Sequence, residues 1–122
     1  MKTISTLLMA TVISLTAFAT NSDAYKKAMG KALAEMQKSS SIEELTNTAN
    51  QFQRIAKAAD QEWLPLYYHA QCYVLMGFNT DKEVDERDGY LDLAQNSIDD
   101  AMKLAPNESE LFALQSMLHT AR

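Results

Sequence analysis

Apolar side chains recur at three- and four-residue spacing from Ala24 to Leu118, and no stretch of strand length alternates with period two. That periodicity restricts the chain to helices. Ala24, Tyr25, Ala28, Met29, Ala32, Leu33 and Met36 mark a first helix over about 22–38, with Asn21, Ser22 and Asp23 as capping residues. Ser41 followed by Glu44 reads as a capping box, and it opens a second helix carrying Ile42, Leu45, Ala49, Phe52, Ile55, Ala56 and Ala59 on one stripe. Pro65 fits only a first turn, where its missing N–H costs nothing, so a third helix runs over about 62–76. Its face is Trp63, Leu66, Tyr67, Ala70, Tyr73, Val74 and Gly77. Between Gly77 and Gly89 the residues turn polar and charged, which reads as a loop or a frayed helix start. The helical pattern resumes at Tyr90 and passes through Leu91, Ala94, Ile98, Ala101, Met102 and Ala105 until Pro106 stops it. Asn107 and Glu110 resemble a second helix start, ahead of Leu111, Phe112, Leu114 and Leu118. The expected fold is all-α, five helices in antiparallel pairs joined by short turns.

The first nineteen residues read as an address. One positive charge at Lys2 precedes an uncharged, mostly apolar run from Ile4 to Phe18, and Ala17-Phe18-Ala19 is a small-x-small cleavage site. A run of about fifteen residues is short of the roughly 18 to 20 needed to span a bilayer. Residues 1–19 are therefore expected to be a cleaved secretory signal peptide, with Ala17 and Ala19 flanking the cut, and 20–122 a helical domain in the periplasm or outside the cell. No cysteine stands just after the apolar run, so a lipoprotein anchor is not expected.

Composition then removes several classes of function. The formal charge of the 122 residues is -5, with 11 Lys and Arg against 16 Asp and Glu, which argues against a nucleic-acid partner because phosphate neutralisation needs clustered cations. The one cysteine, Cys72, excludes an intrachain disulfide, so an exported domain of this size rests on packing or association alone.

The third and fourth helices carry a repeat-like pattern. Leu66, Ala70, Tyr73 and Gly77 give large apolar, small, aromatic and Gly positions on one helix, and Ala94, Ile98, Ala101 and Pro106 follow on the next. Small residues at the crossing let the backbones approach while Tyr73 and Ile98 fill the space between layers. Those are tetratricopeptide-repeat positions, and Phe52, Ile55 and Asp60 match the preceding unit less well. Phe52 to Ile98 is 46 residues against a standard period of about 34, and the excess falls in a charged insertion at 78–89. The chain also resembles a family of exported tetratricopeptide-like proteins of the Bacteroidota type. The resemblance rests on Phe52-Gln53-Arg54-Ile55-Ala56, Trp63-Leu64-Pro65-Leu66-Tyr67-Tyr68, Tyr90-Leu91-Asp92-Leu93-Ala94, Ile98-Asp99-Asp100-Ala101 and Pro106-Asn107-Glu108-Ser109-Glu110. It implies a short α-solenoid and export, and further helices beyond Arg122, so that this chain is a C-terminally truncated form with Leu111, Phe112, Leu114 and Leu118 uncovered.

Candidate chemistry is sparse. The stretch from Asp81 to Asp92 places carboxylates at the first, third, fifth and twelfth positions of a calcium loop, but has Glu86 where that loop needs Gly and Asp92 where it needs a bidentate Glu, so a solvated charged loop is expected. His69 and Cys72 lie three residues apart on one helix, a spacing that suits a metal edge or a nucleophile and base, although a structural pair is the commoner meaning. Tyr68, out of phase with Leu66, Ala70 and Tyr73, and Trp63 are the candidate partner-contact residues. The leading expectation is a non-enzymatic interaction module that binds a peptide or protein on a helical groove, with no cofactor or metal. The alternative is a small envelope enzyme or metal-binding protein using His69, Cys72 and the acidic 81–92 segment. A homodimer through an apolar stripe on the C-terminal helix is a further expectation.

Overall fold

The computed structural model describes residues 22–122, so the expected signal segment, its Ala17/Ala19 cut and the Asn21 cap lie outside the described residues. Five helices follow in order: α1 (Asp23–Lys38), α2 (Ile42–Ala58), α3 (Leu64–Gly77), α4 (Val84–Leu104) and α5 (Ser109–Ala121). Among the described residues there is no strand, and no helix is long and apolar enough to cross a membrane. Neighbouring helices pack in sequence, in the manner of a short helical solenoid.

Local chemistry explains most boundaries. Ser22 caps α1, its hydroxyl accepting from the Tyr25 N–H at 3.1 Å. At α2 the capping box is complete: Ser41 Oγ accepts from the Glu44 N–H at 3.1 Å while the Glu44 carboxylate accepts from the Ser41 N–H at 3.3 Å. The same carboxylate takes the Ser40 N–H at 2.6 Å, and that bond is the main reason its acidity is raised, with the carboxyl held below the usual range. Pro65 occupies the first turn of α3.

Two boundaries depart from expectation. The helix expected from Tyr90 begins at Val84, so the charged segment over 78–89 is a loop only to residue 83. Asp85 and Glu86 stand in the first turn, where carboxylates meet the positive end of the helix dipole. Glu86 is further tied to Lys82 at 3.3 Å and to the Tyr90 hydroxyl at 2.8 Å. At α5 the anticipated cap does not form: Glu108 is the N-cap, without a side-chain bond, and Asn107 lies outside the helix.

α3 is the central element. One core cluster joins Tyr25, Met29 and Ala32 of α1 and Ala49, Phe52 and Ile55 of α2 to Cys72 and Met76 of α3. A second joins Ala70 and Val74 of α3 to Leu91, Ala94 and Ile98 of α4 and Leu114, Leu118 and Ala121 of α5. Tyr73 packs against both. The expectation of one buried face on α3 is therefore corrected: a helix with neighbours on both sides buries both, as its nearly continuous apolar sequence requires. Of the repeat-like positions, Ala70, Ala94, Ile98 and Ala101 are fully buried and Gly77 is buried against Leu91, whereas Leu66 is half-buried and Pro106 lies exposed in the turn after α4.

The uncovered stripe expected on α5 is also corrected. Leu111, Leu114 and Leu118 fall on one face and are buried, because that face lies against α3 and α4; Phe112 stays 54% exposed.

Candidate functional site

The N-terminal end of α3 gathers the aromatic residues. Trp63, directly before the helix, meets Tyr67 edge-on with ring centroids 5.9 Å apart; Tyr67 meets Tyr68 edge-on at 5.0 Å; and Tyr68 stacks on Phe52 of α2 at 5.3 Å. The arrangement follows from helix geometry: positions 63 and 67 are one turn apart and face the same way, while 68 turns toward α2. Trp63, Tyr67 and Tyr68 are each half-buried, and Phe52 is wholly buried. Tyr68, a candidate contact residue by its phase, is half-buried and packs on the core of α1, α2 and α3, so only part of its ring is open to a partner. Burial, followed by the negative charge of Glu110 at the start of α5, pushes the Tyr67 hydroxyl above its ordinary pKa. The ladder thus runs from the α2 core toward α5, apolar in its rings and acidic at its far edge. A separate groove of about 260 Å³ lies between α1 and α2, with Ala28, Ile55 and Ala58 exposing apolar atoms between Lys31 and Arg54.

His69 and Cys72, the other pair singled out by spacing, are not assembled into a reactive site. Cys72 is wholly buried within the cluster of α1, α2 and α3, and burial pushes its thiol up to about 12, which leaves no thiolate near neutral pH. The His69 ring instead engages Ser97 of α4, Nδ1 to Oγ at 2.6 Å, and packs edge-on to Tyr73 at 5.1 Å. Burial holds its pKa below 6.5, so the imidazole is neutral. The solvent-reachable cleft that an enzyme built on His69 and Cys72 requires is absent at Cys72. The acidic segment is likewise no metal loop: from Val84 onward it is helix, and among the described residues no three His, Cys, Asp or Glu side chains converge as metal ligands.

Sequence reasoning passed over four residues that organise this region. Ser97 lies between Ala94 and Ile98 on the buried stripe of α4, and a hydroxyl on such a stripe signals a partner on the facing helix. Arg87, grouped with the solvated charges, donates from Nε to the Gly77 carbonyl at 2.8 Å and from Nη2 to the Ala121 carbonyl at 3.2 Å. It thereby joins the C-terminal ends of α3 and α5, where the helix dipoles favour a cation. Gln95 and Gln115 exchange two amide hydrogen bonds of 2.7 Å between α4 and α5. No pattern within either helix marks that pair.

No family model matches the chain, and neither the curated proteins nor the solved structures contain a match.

Proposed function

We propose that this chain is an exported, non-enzymatic interaction module of tetratricopeptide-like character that binds a peptide or protein segment through the aromatic ladder at the start of α3. The observation that carries the reading is the placement of three half-buried aromatic rings, Trp63, Tyr67 and Tyr68, in one contiguous array braced from below by Phe52. Rings held this way lose little conformational freedom on binding, and Tyr and Trp combine a large apolar face with a polar edge, which is why they dominate binding energy at interfaces. The repeat-like spacing and the resemblance to exported proteins of the Bacteroidota type support the same role, with the periplasm or the exterior as its place. The leading segment over 1–19 supplies the route.

The test is affinity capture from envelope extract with tagged wild-type protein and with Trp63→Ala. A protein captured by the wild type and lost with Trp63→Ala, at unchanged melting temperature, supports the reading; equal capture by both removes the ladder from it.

A further inference from the structure

His69 and Ser97 line a cavity of about 220 Å³ at the junction of α2, α3 and α4. His69 is 7% exposed, and Ser97 is its one hydrogen-bond partner among the described residues. Among the described residues no buried side-chain nitrogen or oxygen lacks a partner, so Nε2, which has none, opens onto the space the ring lines. The Ser97 hydroxyl makes no other hydrogen bond among the described residues, so Nδ1 is the one acceptor for its proton there; a Ser97 O–H that donates to Nδ1 puts the single proton of the neutral imidazole on Nε2, as a donor into the cavity.

The surrounding groups specify a complementary ligand. Lys57 of α2 borders the cavity and has no ion pair among the described residues, and Gln53, one turn earlier, adds an amide. Asp100, which also borders the cavity, is paired with Lys103 at 3.2 Å, so Lys57 is the lining charge without an ion-pair partner among the described residues. Ala56 and Leu66 contribute an apolar wall. We propose that this cavity binds a small carboxylate with a short apolar body, the carboxylate accepting from His69 Nε2–H and facing the Lys57 ammonium, the body lying against Ala56 and Leu66. The volume admits a metabolite rather than a drug-sized molecule.

The test is NMR of the ring nitrogens in the full chain, which has two histidines, so that His119 serves as an internal reference. Sodium butyrate is expected to shift the His69 Nε2 resonance saturably, with Kd on the order of 1 mM for a ligand of so few atoms, and to leave His119 unmoved. Lys57→Gln, a change at an exposed side chain, is expected to raise Kd about tenfold without changing the melting temperature. A shift that does not saturate, that appears equally at His119, or that is unaltered in Lys57→Gln overturns the proposal. Inorganic phosphate binding as tightly as butyrate overturns it too, because the apolar wall then contributes nothing.

Discussion

At the scale of the residue, the three glycines of the chain fall into two kinds that composition cannot separate. A Cβ added at Gly77 would lie 2.8 Å from Leu91 Cγ, and Leu91 is fully buried and unable to retreat, so the absence of a side chain there permits the close approach of α3 and α4. Gly30, exposed on α1, has nothing within 4 Å of the same position. Gly77→Ala is therefore expected to destabilise by about 1–3 kcal/mol through overpacking, and Gly30→Ala to stabilise by about 0.5–1 kcal/mol through helix propensity. Urea denaturation of the two variants checks the opposite signs; equal effects would refute the close approach. His69 gives a second residue-scale prediction. The unfolded chain takes up a proton on this histidine near pH 6.5, whereas burial makes the folded chain resist it. Stability from this group is thus fully present above about 6.5 and is lost as pH falls toward the lower folded value. The midpoint of urea unfolding should begin to drop below pH 6.5 in the wild type and stay level over the same range in His69→Gln. The carboxylates of Glu44 and Glu86, held low by their hydrogen bonds, begin to act only below about 4.5 and leave that window clear.

At the scale of the element, boundaries with a local chemical cause were legible and those set by tertiary partners were not. Ser41 and Glu44 lie within one turn of each other and satisfy each other's backbone groups, so the start of α2 could be read from four residues. Pro65 and Pro106 punctuate α3 and α4 for equally local reasons. The start of α4 could not be read in this way. Its first turns carry Asp85, Glu86, Arg87, Asp88 and Gly89, a composition that suits a loop, yet Arg87 reaches the carbonyl ends of α3 and α5 and anchors the turns from outside. Replacing Arg87 with Met keeps the aliphatic stem and removes both bonds, and should cost about 1.5–3 kcal/mol, the range for hydrogen bonds from charged groups. Hydrogen exchange of the amides between 84 and 90 should rise in that variant. Exchange unchanged from wild type would show that these turns stand without Arg87. The candidate site divides along the same line: spacing pointed to the aromatic residues and to His69, but Ser97, the actual partner of His69, lies 28 positions away on another helix.

At the scale of the molecule, charge is distributed unevenly along the solenoid. Residues 22–58 hold six basic and four acidic side chains, while residues 59–122 hold four basic and twelve acidic. The aromatic ladder belongs to the acidic part, beside Glu110, so the segment it accepts is expected to be basic and its binding to weaken as salt rises. Trp63 is the one tryptophan of the chain and stands at the proposed contact, so its emission reports occupancy of the ladder without any label. The most direct measurement is a titration of the full chain with the captured partner, followed by Trp63 fluorescence and repeated at low and high salt. The account predicts a saturable blue shift as the half-buried ring loses water, with weaker affinity at high salt; a partner that binds while the emission of Trp63 stays unchanged would contradict it.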